Sequence, residues 1–218
     1  MENSIILENG KVSVVELENK KFFYRFIKDL YSINNGDVLE EFICLDDNNK
    51  EIALSNKIKI INDYFEFDFN SKKYNAEIIK YLSYTITDED KNSIISLQNK
   101  LYQKINKQLN QTDIPLCISS DIDIETILKG LKIVIKQCDD ILNNLFLLID
   151  LENILKSYNI LVFINLKQYL SEKELKEFYK YAIYNDVKVL LIDSQCYHTS
   201  NEYEKKLIVD NDLVEFVI

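Results

Sequence analysis

The sequence predicts a mixed α/β fold in which both ends of the chain build one head domain and an α-helical limb is inserted between them. Three observations lead to this prediction. Strand patterning occupies the first third of the 218 residues, helical periodicity occupies the middle, and a strand–helix–strand pattern typical of parallel sheets follows. We expect the head to comprise residues 1–69 and 156–218 and the limb to comprise residues 70–155.

The first third is patterned as strands around one helix. The turn Glu8-Asn9-Gly10 separates two apolar runs, 4–7 and 12–17, and an Asn-Gly pair at such a place favours a β-hairpin. The amphipathic stretch 22–33 predicts a helix. Further strand patterning is present at 41–45 and, rich in aromatic residues, at 57–69.

The middle of the chain changes to the helical period of about 3.6 residues. Thr87 precedes a long periodic stretch and acidic residues follow it directly, as at a helix N-terminus. After a break that contains the only proline, Pro115, helical patterns resume at 124–136 and at 139–158. The last of these patterns is apolar nearly all round, which predicts a buried helix.

The final third predicts a βαβ unit. The unbroken apolar runs 160–164 and 187–192 are typical of strands covered on both faces, as in a parallel sheet. Between them, the motif Ser171-Glu-Lys-Glu174 is a capping box that begins a helix running to about Tyr184. We therefore expect the two strands to lie parallel in one sheet.

Composition is that of an ordinary globular protein, with 47% hydrophobic and 28% charged residues. No apolar run approaches the roughly 20 residues that span a bilayer, and the first ten residues lack the features of a signal peptide. We therefore expect a cytoplasmic protein. The scattered single cysteines predict buried free thiols rather than a zinc site or redox dithiol, and they are Cys44, Cys117, Cys138 and Cys196.

The charge of the chain limits how it could contact nucleic acid. The formal net charge is −10, which repels phosphates at long range, so any DNA contact must be local. Arg25 is the only arginine, and bidentate recognition of guanine edges is therefore nearly unavailable. The composition permits contact with the DNA backbone that does not depend on base sequence.

Two strand ends and the glycine content bear on catalysis. Asn165 and Asp193 end apolar strands. An aspartate at such a place can hold the metal of an NTPase. Both residues can also simply end their strands and cap the turns that follow. A phosphate-binding loop needs clustered glycines, whereas Gly10, Gly36 and Gly130 lie far apart. We therefore expect no NTP hydrolysis and no enzymatic activity.

An alternating acidic segment precedes and enters the helix predicted at 124–136, and it consists of Asp121, Asp123 and Glu125. Hard oxygen ligands at this spacing suit Ca²⁺ better than Zn²⁺. The segment lacks the central glycine and the closing glutamate of an EF-hand. The same acids could instead stabilise the helix N-terminus through its dipole, and the sequence leaves both interpretations open.

Two sets of lysines recur at helical spacing. One predicted stripe consists of Lys129, Lys132 and Lys136, and the other consists of Lys100, Lys104 and Lys107. Either stripe could contact phosphates, or it could be the solvated side of an amphipathic helix. We retain both sets as candidate DNA-binding residues.

Several degenerate motifs follow one another from end to end along the chain. They are Leu7-Glu-Asn-Gly10 with Val12-Ser-Val-Val-Glu-Leu17, then Asp121-Ile-Asp-Ile-Glu125, then Ile160-Leu-Val-Phe-Ile-Asn165 and Val187-Lys-Val-Leu-Leu-Ile-Asp193, and the tail Tyr203-Glu-Lys-Lys-Leu-Ile-Val-Asp-Asn-Asp-Leu-Val-Glu215. In this order and at this length, the chain resembles the Csn2 family of type II-A CRISPR adaptation proteins, which act in spacer acquisition and antiviral defence.

The resemblance implies a head related to P-loop ATPases but without their phosphate loop, and an α-helical leg. It also implies a non-catalytic homotetrameric ring that holds Ca²⁺ and binds double-stranded DNA, preferentially at its ends and regardless of sequence, through a lysine-lined hole. On this chain, the calcium role falls to Asp121, Asp123 and Glu125, and the DNA role falls to the two lysine sets. The protein partners that the resemblance implies are other CRISPR adaptation and effector proteins.

Two other functions stay open at the level of sequence. Asp193 together with Asp121 or Asp123 could serve a metal-dependent nuclease or a degenerate NTPase, because two-metal phosphate chemistry needs clustered carboxylates. The chain could also be an oligomeric scaffold that binds other adaptation proteins and no DNA. Incubation with linear duplex DNA distinguishes the three functions. A DNA-binding protein binds the duplex without turnover, an enzyme turns it over, and a scaffold does neither.

Overall fold

The computed structural model describes residues 4–37, 45, 50–51, 53–118, 123–197 and 201–218. Its strands are β1 (Val12–Leu17), β2 (Ile58–Ile61), β3 (Ile160–Ile164), β4 (Val189–Asp193), β5 (Glu204–Val209) and β6 (Glu215–Val217). Its α-helices are α1 (Lys20–Asn34), α2 (Lys72–Thr85), α3 (Asp88–Leu109), α4 (Ile124–Gly130), α5 (Ile141–Leu155) and α6 (Glu172–Tyr184). A short 3-10 helix, Leu166–Gln168, follows β3. The chain divides into two compact units, Met1–Phe69 with Lys136–Ile218, and Asn70–Ile135.

The first unit is built on a sheet with the strand order β2-β3-β4-β1-β5-β6. Neighbouring strands from β2 to β5 run parallel, and β6 runs antiparallel to β5. At the centre, Val14 of β1 lies opposite Leu191 of β4 on one side and Lys206 of β5 on the other. Every residue of β1 is buried, as expected for a parallel strand covered on both faces.

The predicted N-terminal hairpin is wrong. Gly10 does adopt the positive φ of 79° that the Asn-Gly turn indicated. The structure has no strand among the described residues 4–8, however, and β1 pairs with β4 and β5 instead. A mainly apolar strand buries both faces and both edges in this way, which a two-stranded hairpin at the surface does not allow.

The predicted strand 57–69 is confirmed only in its first part, because β2 ends at Ile61. The aromatic alternation that extended the prediction belongs to a loop that buries three of its rings, Tyr64, Phe67 and Phe69. The other predicted strand, 41–45, lies outside the described residues except for Leu45, which forms an isolated antiparallel bridge with Glu51.

The βαβ unit of the final third is confirmed. Ser171 and Glu174 make both bonds of the capping box at the start of α6. On either side of this helix, β3 and β4 pair in parallel with Leu161 opposite Val189. All five residues of β4 are buried, in agreement with the continuous apolar run.

Helix α5 lies in the first unit, whereas we expected the helical limb to extend to residue 155. Its apolar residues pack into the α/β core, where Leu148 is fully buried. Its contacts reach α6, because the Phe146 and Tyr181 rings lie 4.4 Å apart and the Tyr181 hydroxyl donates to Asp150 Oδ1 at 2.7 Å. The second unit therefore ends at Ile135.

The second unit consists of α2, α3 and α4. The side chain of Thr87 caps α3 by accepting from the Asp90 N–H at 3.1 Å, as the sequence indicated. The helix predicted over 124–136 is shorter than expected, because α4 ends at Gly130 and Lys132 adopts a positive φ of 51°. Among the described helices of both units, none is both long and apolar enough to cross a membrane.

Candidate functional site

Four charged side chains are buried together against β1 and β5. Lys167 Nζ lies 3.0 Å from Glu16 Oε1 and 2.9 Å from Glu204 Oε1. Lys206 Nζ lies 3.0 Å from the same Glu16 oxygen and 3.4 Å from Glu204 Oε2. None of these side chains is more than 4% exposed. Each charge is therefore compensated by two opposite charges, as burial of ions requires. We refer to these residues, Glu16, Lys167, Glu204 and Lys206, as the buried ion network.

The buried ion network holds the connection between β4 and β5. The Tyr197 N–H donates to Glu16 Oε2 at 3.0 Å, and Lys206 Nζ donates to the Tyr197 carbonyl oxygen at 2.9 Å. From α6, the Tyr179 hydroxyl donates to Glu204 Oε1 at 2.7 Å. Burial, followed by the charge of Glu204, raises the pKa of Tyr179 well above its usual value, so this hydroxyl stays a donor.

Asp193 adds a third carboxylate beside the network. It ends β4 opposite Glu16 and is 1% exposed. Burial raises the pKa of Asp193 to about 7. The charge of Lys167 opposes this shift, whereas the charges of Glu16 and Glu204 add to it. A protonated Asp193 leaves two carboxylates against two ammonium groups, which makes the whole cluster neutral.

The other predicted strand end, Asn165, serves the turn that follows β3. It adopts a positive φ of 56°, and its Oδ1 accepts from the Ser194 N–H at 2.8 Å and from Ser194 Oγ at 2.9 Å. Asn165 therefore ties the ends of β3 and β4 together. The Asn165 side chain is therefore engaged within the protein, an arrangement suited to fixing the turn after β3.

The acidic segment is described only in part, because Asp121 lies outside the described residues. Asp123 is the N-cap of α4 and accepts from the Thr126 N–H at 2.7 Å, and bonding to Thr126 lowers its pKa. Glu125 lies 3.5 Å from Lys129 Nζ. In the part of the chain that the structure describes, no three His, Cys, Asp or Glu side chains are grouped to hold a metal. The calcium assignment stays a prediction.

One of the two predicted lysine stripes does not form. Lys129 lies in the last turn of α4, but the helix ends at Gly130, so Lys132 and Lys136 leave its surface. The prediction assumed helical spacing over residues 129–136, whereas the helix contains only the first of the three lysines. The second stripe is placed on one helix face, and its members are Lys100, Lys104 and Lys107, all exposed on α3.

The described cysteines are less buried than we predicted. Cys117 and Cys138 are exposed and Cys196 is partly buried, all as free thiols. Cys44 lies outside the described residues. Burial and the Glu18 carboxylate raise the pKa of Cys196 to about 12, so this thiol stays protonated at neutral pH.

Helix α1 presents a basic surface that the two predicted lysine stripes do not include. Asn19 begins the helix by accepting from the Lys21 and Phe22 N–H groups at 3.1 Å each. Phe26 and Leu30 are buried. The opposite side is exposed, and its residues, which we call the basic face of α1, are Lys20, Lys21, Tyr24, Arg25 and Lys28.

Helix α1 carries four cations and one acid, Asp29, so its basic face has an excess of positive charge. Among the residues that the structure describes, its four cations form no ion pair, although the chain as a whole has a net charge of −10. The aromatic ring of Tyr24 is 70% exposed among them. The spacing of Lys21, Arg25 and Lys28 at i, i+4 and i+7 was the signal in the sequence that indicated such a face.

The structure is that of a mixed α/β protein with a mainly parallel sheet, a helical unit inserted in its chain and a basic face on one helix. Comparison with known families gives the particular family. The chain belongs to the Csn2 family of CRISPR-associated proteins, whose model, described as CRISPR-associated protein (Cas_Csn2), matches residues 35–213. The family predicted from the sequence is confirmed.

One curated relative and one solved structure are similar to this chain. The chain is 23% identical over 222 residues to the CRISPR-associated protein Csn2 of Streptococcus agalactiae, which covers 97% of this chain and 92% of the relative. Its structure resembles the crystal structure of Stu0660 of Streptococcus thermophilus with a TM-score of 0.63 and 14% identity, over 94% of this chain and 71% of that chain. The second likeness supports the mixed α/β fold.

Proposed function

We propose that this protein binds double-stranded DNA without reading its base sequence, acts in CRISPR spacer acquisition and performs no chemistry on the DNA. The observation that carries this proposal is the basic face of α1, where four exposed cations share one helix side with no ion-pair partner among the described residues. Membership of a CRISPR-associated family supports a nucleic-acid partner.

The basic face favours contact with the DNA backbone. Its cations extend over about 12 Å of helix axis, enough to meet more than one phosphate of the same strand. Lysine acts as a point charge and carries little base-edge geometry, and one arginine per chain adds little more. Binding should therefore ignore base sequence and weaken steeply with salt.

The test compares three charge-matched triple variants. We expect Lys21→Gln, Arg25→Gln and Lys28→Gln together to weaken binding of linear duplex uniformly across sequences, and to lower the log–log salt slope by roughly 0.9 for each phosphate that is no longer neutralised. The α3 triple, in which Lys100, Lys104 and Lys107 become Gln, tests the stripe retained from the sequence. The control replaces three exposed lysines elsewhere, Lys173, Lys180 and Lys188.

These titrations have clear alternative outcomes. Equal loss of affinity in the α1 variant and the control would mean that net charge alone governs binding, which contradicts a localised site. A loss confined to the α3 variant would move the site to the second unit. Equal affinity for closed circular and linear duplex would contradict the preference for DNA ends that the family resemblance implies.

A homotetrameric ring is part of the proposal. Symmetry would repeat one modest basic face around a common axis and so strengthen DNA binding by an acidic chain. Helix α3 offers a surface for such contacts, because Leu97 and Leu101 are 64% and 56% exposed. We expect Leu97→Ser with Leu101→Ser to lower the oligomeric mass in light scattering, whereas Leu213→Ser should not. A monomeric mass for the wild type with Ca²⁺ would contradict the ring.

Calcium binding at Asp121, Asp123 and Glu125 is proposed from the family resemblance. Carboxylates held close together repel one another, so a bound cation should stabilise the segment and raise the Tm by mass action. Asp121→Ala with Asp123→Ala should abolish that rise. A Tm that the double substitution lowers equally with and without Ca²⁺ would assign these acids to helix capping alone.

Absence of turnover is the final part of the proposal. The scattered glycines support it, because the phosphate-binding loop of NTPases needs glycines close together. Incubation with the protein should leave ATP intact, and incubation in the presence of divalent cations should leave linear duplex DNA intact. Hydrolysis or cleavage that Asp193→Ala abolishes would establish an enzyme instead, and no binding at all would favour a scaffold.

A further inference from the structure

The loop between β2 and α2 exposes an aromatic side chain that contributes little to the core. Phe65 is 86% exposed, although the neighbouring Tyr64 and Phe67 of the same loop are buried. The Phe65 ring meets the Tyr169 ring edge to face, with centroids 6.0 Å apart and planes at 89°, and Tyr169 is itself 44% exposed. The two rings therefore form an exposed aromatic pair at the surface of the α/β unit.

The backbone on both sides of Phe65 is held firmly. Asp63 Oδ1 accepts from the Phe65 N–H at 2.9 Å and from the Glu66 N–H at 3.1 Å. The Tyr64 hydroxyl donates to the Ile164 carbonyl oxygen at 2.9 Å, and its ring lies 5.0 Å from that of Tyr169. The exposed ring therefore stands on an ordered support, which lowers the entropic cost of binding a partner.

The segment that carries Phe65 is acidic, although Lys59 Nζ reaches its far end and donates to the Asp68 carbonyl oxygen at 3.2 Å. Residues 62–69 contain three exposed acids, Asp63, Glu66 and Asp68, and no lysine or arginine. Within the described ranges, Asp63 and Glu66 form no ion pair. Such a surface repels phosphates, so it is unsuited to the DNA backbone and attracts a cationic partner.

We propose that this aromatic–acidic surface, consisting of Asp63, Phe65, Glu66 and Tyr169, binds an arginine-bearing segment of a protein partner. A guanidinium group stacks on an aromatic ring and pairs with carboxylates through its planar donors at the same time. A lysine ammonium group supplies the charge without the planar stack. The surface shares no residue with the basic face of α1, so the proposal does not depend on DNA binding.

The test uses fluorescent peptides of alternating arginine and glycine, alternating lysine and glycine, and alternating glutamate and glycine, with the full-length chain. Any cationic peptide is attracted to a protein of net charge −10, but Phe65→Ala leaves the charge unchanged. We expect this variant to bind the arginine peptide about tenfold more weakly, equivalent to about 1.4 kcal/mol. Its affinity for the lysine peptide should fall less. Phe65→Tyr should restore binding, and Glu66→Gln should reduce both affinity and salt dependence.

Tyr184→Ala provides the matched control, because Tyr184 is a similarly exposed ring at 88%. It should leave the arginine peptide unaffected, and the glutamate peptide should not bind the wild type. Equal affinity of Phe65→Ala and wild type for the arginine peptide would overturn the proposal, as would an equal loss in Tyr184→Ala. A change in oligomeric mass caused by Phe65→Ala would assign the surface to contacts between copies, and a change in DNA affinity would assign it to nucleic acid.

Discussion

The two compact units of this protein differ in what stabilises them. In the α/β unit, β1 and β4 are buried throughout and charged side chains are buried with them in compensated pairs. In the helical unit, α3 is 22 residues long and none of its described residues is buried. Helices gain most of their stability from packing, so we expect the two units to differ in stability as well.

The largest expected effect comes from breaking the buried ion network. Lys167→Met removes the ammonium group that lies within 3.0 Å of both Glu16 and Glu204 and leaves these carboxylates short of positive charge. We expect the free energy of unfolding to fall by about 3–5 kcal/mol, as for other buried pairs that lose one partner. Urea denaturation followed by circular dichroism measures it.

The control for this substitution is an ion pair at the surface of the same unit. Lys173 is 87% exposed and lies 3.9 Å from Glu177, so Lys173→Met should cost less than about 1 kcal/mol. Similar losses in the two variants would show that burial of the network does not matter, and the proposed difference between the units would lose its main support.

The second effect is a pH dependence that Asp193 confers on the α/β unit. Its pKa is about 7 in the folded chain against 3.8 unfolded, so between these pH values only the folded protein keeps the proton. The free energy of unfolding should fall as pH rises from 4 to 7 and then level off, by up to about 4 kcal/mol.

Asp193→Asn isolates this contribution, because the amide keeps the shape of the carboxyl group and cannot ionise. The variant should gain stability relative to the wild type as pH rises, most clearly in urea midpoints measured at pH 5 and pH 8. A constant difference between the two proteins across this range would mean that Asp193 titrates normally in the fold.

The third effect compares one leucine from each unit. Leu148 of α5 is fully buried and Leu97 of α3 is 64% exposed. Leu148→Ala should cost about 3 kcal/mol through reduced burial and the cavity that remains, whereas Leu97→Ala should change stability by less than about 0.5 kcal/mol. Thermal unfolding should be measured at a concentration where the protein is monomeric. Comparable losses of stability in the two variants would mean that Leu97 is buried within the monomer.

The smallest effect concerns helix caps of equal chemistry in the two units. Ser171 caps α6 and Thr87 caps α3, each through a side-chain oxygen. Either change to alanine should cost about 1 kcal/mol of local stability. Hydrogen exchange should show the loss along α3 for Thr87→Ala, and throughout the α/β unit for Ser171→Ala. Uniform exchange in both variants would mean that the two units unfold together.

The sequence was most informative where local chemistry decides the outcome. The capping box at Ser171 and the continuous apolar runs of β3 and β4 predicted a βαβ unit that the structure contains, and the order of motifs predicted the family. The predictions went wrong where distant partners compete. Residues 12–17 looked like half of a hairpin, but strands almost 180 residues further along the chain pair with them.

The candidate sites were harder to predict, because a pattern of charged residues does not show where a helix ends. The lysines after Gly130 kept helical spacing in a segment that is no longer helical. Lys206 and Glu16 lie in strands and carry charges that a sequence assigns to the surface, whereas three-dimensional pairing buries them. Alternation within a strand cannot reveal such a pair, since each partner is satisfied only by residues far away in the chain.

The central position of β1 has a consequence for how the chain folds. Its neighbours β4 and β5, and the Tyr197 backbone that bonds to Glu16, are all synthesised long after it. Until they emerge from the ribosome, β1 has two open edges and apolar faces with nothing to cover them, which is the state most prone to aggregation. The local helices of residues 70–135 can form in the meantime, but the sheet closes late and slowly through contacts of very high sequence separation.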